Sequence, residues 1–323
     1  FQSYEDLQIN SKSDRYQYNL PYYNFDRSIS QNYFEGNINF SSDGNNYLSN
    51  TNKLETNITN NVTYNSLNYI SKLGIKNNYS FSFRNLNSIG KKTSQYKSSP
   101  QVELAGLFNI DFSMPFEKKV ENYDNLLTPK LSFRFNPSDM KDYSSSDNKI
   151  NTSSAFALNR LGLSDTLETG KSITLGLDYK NEKKNDLDQI NNYFELKLAT
   201  VLRDKEEKFI PNKSTIHKKN SNLFGSITNK FSNNLDLGYN FSLDNDFSTF
   251  EYNDINATLS INNFVTKFNF IEEHGETGDT NVMANSFEYN IDKKNSFKFQ
   301  TRRNRKLSLT EYYDLVYEYK NDC

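Results

Sequence analysis

The feature that most limits what this chain can fold into is a period-two alternation of apolar and polar residues, repeated along nearly its whole length. Leu235, Leu237, Tyr239, Phe241 and Leu243 alternate with Asp236, Gly238, Asn240 and Ser242. Ile255, Ala257, Leu259 and Ile261 do so against Asn256, Thr258 and Ser260, and Ile173, Leu175, Leu177 and Tyr179 against Ser172, Thr174, Gly176 and Asp178. Shorter runs repeat the pattern at Leu131, Phe133 and Phe135, at Tyr79, Phe81 and Phe83, and at Tyr313, Leu315, Tyr317 and Tyr319. Successive side chains of an extended strand point to opposite faces, so each run predicts a strand with one apolar and one polar face. Helical spacing is nearly absent.

Turn-forming clusters separate the runs: Ser42-Asp43-Gly44-Asn45, Ser98-Ser99-Pro100, Asn136-Pro137-Ser138-Asp139, Ser232-Asn233-Asn234 and Asp244-Asn245-Asp246. They predict hairpin connections. Asn262-Asn263 and Asp292 to Asn295 are expected to be short links, and Lys180 to Gln189 and Arg203 to Lys219 long charged ones. At about 20 residues per strand and connection, 323 residues hold roughly 14–17 antiparallel strands.

Alternation alone admits a soluble sandwich or barrel with its apolar face inward, or an outer-membrane barrel with that face toward lipid. Only 35% of residues are hydrophobic, yet Tyr and Phe number 22 and 25, so the chain is too aromatic for disorder and too polar for a large soluble core. No stretch approaches the ~20 apolar residues of a membrane helix. The meander has no linker, aromatics recur at expected strand ends (Tyr22, Tyr23, Phe25; Tyr312, Tyr313; Tyr317, Tyr319), and the polar faces show no second core. The expected fold is therefore all-β, an antiparallel transmembrane β-barrel of outer-membrane type, with residues 1–323 in a single barrel domain.

The sequence contains no recognisable catalytic, cofactor-binding or metal-binding constellation, and the expectation is a protein that is not an enzyme and uses no cofactor. His217 and His274 are far apart among charged loop residues. There is no G-x-S-x-G, no H-E-x-x-H and no glycine-rich phosphate loop. Glu272-Glu273-His274-Gly275-Glu276 reads as a polar hairpin turn before a metal site, and Asp139 to Asp147 lacks the ligand spacing of a calcium loop. Arg302, Arg303, Arg305 and Lys306 form a basic cluster at an expected hairpin, read as a solvated turn rather than a headgroup contact. With 38 basic and 40 acidic residues there is no basic field for nucleic acid.

Five stretches carry a family resemblance: Arg15 to Pro21; Leu126-Leu127-Thr128-Pro129-Lys130-Leu131-Ser132-Phe133-Arg134; Asn159-Arg160-Leu161-Gly162 with Asp165 to Gly170; Ile271 to Gly275; and Tyr317 to Cys323. In order and spacing they resemble the C-terminal barrel of the lipopolysaccharide-assembly outer-membrane proteins, the LptD or organic solvent tolerance family. Pro129 is expected to open the Leu131–Phe135 strand, since proline has no donor to give a ladder.

The resemblance implies a bacterial outer-membrane translocon that inserts lipopolysaccharide into the outer leaflet. Its implied partners are lipopolysaccharide, an LptE-like lipoprotein plug, periplasmic lipopolysaccharide-bridge proteins, reached through an N-terminal jelly-roll, and membrane lipids. In that comparison the jelly-roll and the last strands are absent, so the chain is expected to be a mature form or a fragment of a larger barrel. The one cysteine, Cys323, matches a family cysteine that bonds to the N-terminal region, which implies a disulfide to a partner outside this chain in an oxidising compartment. The alternative is a general porin or substrate-specific outer-membrane channel. A soluble β-rich adhesin ranks behind both, and a glycosidase or protease on a β scaffold behind that.

Overall fold

The computed structural model describes residues 2–5, 16–29, 35–50, 52–120, 122–184, 190–232 and 234–320. Among them are eighteen strands. The first nine are β1 (Gln2–Glu5), β2 (Tyr16–Ile29), β3 (Gly36–Ser49), β4 (Lys53–Ser66), β5 (Tyr69–Ile70), β6 (Lys76–Lys91), β7 (Gln101–Ser113), β8 (Phe116–Val120) and β9 (Tyr123–Asn136). The others are β10 (Gly170–Lys184), β11 (Ile190–Arg203), β12 (Leu223–Ser232), β13 (Leu235–Leu243), β14 (Phe250–Ile261), β15 (Phe264–Glu273), β16 (Asn281–Asn290), β17 (Asn295–Asn304) and β18 (Leu309–Tyr319).

Every register is antiparallel and joins strands that follow one another along the chain, apart from the short β5 and β8, which lie beside the β4–β6 and β7–β9 pairs. Among the described residues β18 has a register with β17, and β1 with β2.

The faces of this sheet are inverted relative to a water-soluble protein. On β6, β9 and β10 the residues Ser80, Ser82, Ser132, Arg134, Asn136, Ser172 and Thr174 are buried. Their alternating neighbours Phe81, Phe83, Leu131, Phe133, Ile173 and Leu175 are 37% to 42% exposed. The registers place Ser132 beside Thr174 and Phe133 beside Ile173, so like faces like across the ladder. In water this would expose a continuous apolar belt, a large cost. In a bilayer it is the stable arrangement, because a sheet whose strands satisfy one another's backbone groups needs only every second side chain to be apolar. The chain is an outer-membrane-type β-barrel wall, with its apolar face turned to lipid.

The sheet curls around its polar face. Residues 137–169, between β9 and β10, touch Arg84 on β6, Arg134 on β9 and Glu273 on β15. One connection reaches strands that far apart only if the wall wraps around it. The longer connections, residues 92–100, 137–169, 204–222 and 274–280, share one rim, and Asn234 and residues 262–263 and 291–294 share the other. In outer-membrane barrels the short turns are periplasmic.

Several expectations need correction. Among the described residues the strand count is eighteen and not 14–17, because β1, β5 and β8 are pieces of four, two and five residues that an allowance of about 20 residues per strand and connection does not count. Ser42-Asp43-Gly44-Asn45 is not a turn but the middle of β3. Its polar side chains are satisfied across strands: Ser42 Oγ donates to Asn60 Oδ1 (2.7 Å), and Asn24 donates to Asp43. Gly44 lies under the Tyr23 ring, where a Cβ would come within 2.1 Å of a ring carbon. Tyr22, Tyr23 and Phe25 consequently sit within β2 and not at its end. Lys180 to Lys184 continue β10 rather than opening a link.

Pro129 does not open its strand but lies inside β9, opposite Leu177. Its other flank faces the break between β7 and β8, where the Met114 N–H donates to the Pro129 carbonyl at 3.1 Å. The missing donor thus falls where the ladder changes partner, a bulge-like position that tolerates proline.

The inverted faces make an opposed pair of substitutions informative. Leu175→Arg, facing lipid on β10, is expected to lower the unfolding free energy by about 2–4 kcal/mol in urea titrations from phospholipid vesicles. Thr228→Arg, on the inner face opposite Glu195, is expected to change it by less than about 1 kcal/mol. Equal losses would contradict the assignment of faces.

Candidate functional site: a plugged lumen

The inner wall is largely polar; single apolar side chains face inward at Leu86, Leu107 and Val282, and a patch does so on β11 and at the start of β12, at Ala199, Val201 and Phe224. The two long connections fold onto this apolar patch. Met140, Ile150, Ala155, Leu161 and Leu163 of residues 137–169 pack with Ile210 and Ile216 of residues 204–222 to form the buried core. Phe156 lies over Gly176 of β10, where a Cβ would come within 2.5 Å of the ring. The core of this protein is thus a plug inside the wall.

A buried charge cluster pins the plug. Arg160 Nε donates to Glu168 Oε2 at 2.6 Å, its Nη2 donates to Oε1, and Nη1 and Nη2 also reach Thr174 Oγ1 (3.0 Å) and Ser172 Oγ (2.9 Å) on β10. Arg203, at the end of β11, donates to Glu168 Oε1 and to the Thr169 carbonyl (3.0 Å). Arg134 of β9 stands 3.8 Å from Glu168 Oε2 and donates to the carbonyls of Ala157 and Leu158 (2.7 Å for the latter). Three guanidinium groups on one carboxylate leave excess positive charge, which these carbonyls offset.

Burial by itself would raise the Glu168 carboxyl; Arg160, then Arg203 and Arg134, overcome it and hold the group at about 2. Around this anchor, Asn136 Nδ2 donates to the Leu167 and Glu168 carbonyls (3.3 and 2.9 Å). Arg84 Nη1 donates to the Leu163 and Thr166 carbonyls (3.1 and 2.7 Å), and Lys149 pairs with Glu273.

The plug covers one side of the wall. The inward side chains Tyr22, Asn24 and Asp26 on β2, and Lys298, Arg302, Asp314 and Glu318 on β17 and β18, remain exposed. A strip of polar lumen wall is therefore bare from β16 through β18 and on β2.

Of the residues weighed from sequence, His217 is half-buried at the base of residues 204–222, its Nε2 4.0 Å from Glu276 Oε2. Lys218 lies 2.8 Å from the same oxygen. Burial pulls His217 below the ordinary imidazole value; Glu276 and Glu206 oppose this, while Lys218 and Arg203 reinforce it. His274 sits apart on the 274–280 turn, 3.4 Å from Glu272 Oε1. Among the described residues no group of His, Cys, Asp and Glu could hold a metal ion.

Arg302 meets Glu311 at 2.9 Å, Lys306 pairs with Asp279, and Arg305 stacks over the Phe270 ring at 5.5 Å, so the basic cluster is mostly tied up within the rim. Cys323 lies outside the described residues. The anchor itself was not identified from sequence as a site, although Arg134, Arg160 and Glu168 each sit in a stretch quoted for the family resemblance.

No family model matches the sequence, and no curated protein matches it. Among solved structures the chain is similar to a triple mutant of the Rh. blastica porin, at 8% identity over 82% of this chain and 90% of that one, with a TM-score of 0.28. A double mutant of the same porin is similar at 9% identity over 94% and 99%, with a TM-score of 0.27.

Glu168→Gln leaves three buried guanidinium groups without their carboxylate and is expected to ease opening of residues 137–169 by about 3–5 kcal/mol, read as faster amide exchange and proteolysis there. Because the folded carboxyl titrates below its unfolded value, its contribution is whole above about pH 4.5. It is lost as pH falls toward 2, and the wild-type plug should loosen across that window. His217 has the opposite chemistry but the same sign: a base held neutral by burial loses stability when acid protonates it. Exchange within residues 204–222 should quicken between pH 7 and 5, and His217→Gln should remove that dependence.

Proposed function

We propose that this chain forms a constricted outer-membrane channel for polar solutes. The observation that carries the reading is a largely polar inner wall that the plug covers on one side and leaves bare on the other. Water and hydrated solutes need such a lined path through hydrocarbon, and an inward-folded connection narrows it without sealing the whole wall. Passage of this kind requires no bond chemistry. In planar bilayers the purified chain should give ion-conducting steps, and replacing residues 141–163 by a short Gly-Ser link should raise their conductance severalfold. Insulating behaviour with and without the plug would overturn the reading.

One observation favours a second reading, insertion of lipopolysaccharide, which the family resemblance implies. Among the described residues β18 has no register with β1 or β2, and a lipid leaving a barrel sideways requires a weak seam. Under this reading an LptE-like lipoprotein would occupy the bare wall, with bridge proteins delivering the lipid. A photoreactive residue at Leu315 on β18 would then cross-link lipopolysaccharide in cells, and a lipoprotein would co-purify. A conducting chain with neither outcome would leave the channel reading alone.

A further inference from the structure

The bare side of the wall contains a shaped groove. On β14 to β18 the registers align Thr258, Lys267, Ser286, Gln300 and Asp314 in one inward row and Asn256, Asn269, Ala284, Arg302 and Tyr312 in the next. All of these but Asp314 and Arg302, the latter paired with Glu311, line a cavity of about 380 Å³, within the range of small-ligand sites. The small Ala284 side chain keeps the floor low between taller neighbours.

The chemistry of the lining is specific. Amide and hydroxyl side chains offer both donors and acceptors, and the Tyr312 ring adds an apolar face. Asn256 and Asn269 are mutually ordered, Asn269 Nδ2 donating to Asn256 Oδ1 at 2.6 Å. Both also donate to Asp254, which receives Asn240 Nδ2 as well (3.2 Å), so that carboxylate is occupied. Lys267 is different: it is exposed in the groove and has no ion pair among the described residues, whereas most inward lysines of β9 to β11 are paired. Lys130 meets Asp178, Lys180 meets Glu182 at 2.5 Å, and Lys197 meets Glu195 at 2.9 Å. No carboxylate lines the groove.

We propose that this groove binds a polyhydroxylated monoanion, the sugar-acid class, with Lys267 on the carboxylate and Thr258, Ser286 and Gln300 on the hydroxyls. Several hydroxyl contacts supply selectivity over simple anions, and a single ammonium supplies selectivity over neutral sugars. The proposal deepens the channel reading, since the groove lies in the path that the plug leaves open.

Equilibrium dialysis of the detergent-solubilised full chain against glucuronate, glucose and acetate tests binding independently of conductance. Glucuronate should bind about tenfold more tightly than either of the others. Lys267→Gln should bring glucuronate down to the level of glucose, while Lys298→Gln, an inward lysine outside the groove, should leave it unchanged. Gln300→Ala gives a second variant that spares the charge and should weaken glucuronate and glucose alike. Equal binding of glucuronate and acetate, or equal losses from the two lysine variants, would overturn the proposal. Binding without conductance would keep the groove and remove the channel; conductance without binding would do the reverse.

Discussion

Hydrocarbon offers no hydrogen-bond partner to a backbone N–H or C=O, and every feature of this chain follows from that constraint. Strands that pair with their sequence neighbours satisfy the backbone locally, so the meander needs no apolar core between layers. Once the ladder is satisfied, the bilayer asks only that outward side chains be apolar. Phe133, Ile173 and Leu175 meet that demand while Arg134, Ser172 and Thr174 turn inward. The low hydrophobic fraction and high aromatic count are two sides of this division, because half of each strand and nearly every loop are free to be polar.

The plug solves the converse problem. Inside the wall, the connecting segments must bury apolar side chains without lipid to receive them, and they do so against Ala199, Val201 and Phe224. Apolar packing alone fixes no unique position. The Glu168 cluster does, because it ties the 137–169 connection to β9, β10 and the end of β11 at once. Buried ionic groups are a poor source of net stability but a good source of register. Leaving Glu168 alone among three guanidinium groups makes that register sensitive to a single carboxylate.

Much of the wall was legible in sequence. Alternation at Leu235–Leu243 marked the whole of β13, alternation at Ile255–Ile261 marked the second half of β14, which starts at Phe250, and Asn262-Asn263 marked the tight turn after β14. Failures came where local chemistry was overruled by pairing. Ser42 to Asn45 has turn composition, but Asn60 and Asn24 on the flanking strands complete its hydrogen bonds and hold it extended. Pro129 reads as a strand start until β7 and β8 are seen to break beside it. The plug was illegible for a different reason: residues 137–169 have no periodicity, and the side chains that meet there come from four separate segments.

By itself, then, the sequence determined that this protein is a β-meander with one lipid-compatible face, because side-chain period is a local property of an extended backbone. It also carried Arg134, Arg160, Arg203 and Glu168 without any sign that they meet. Which rim holds the long connections, which side of the lumen they close and how Lys267 comes to face the bare wall were decided only by curling the sheet. Curvature is collective: it depends on all the registers together, and it alone brings β6 and β15 to opposite ends of one plug.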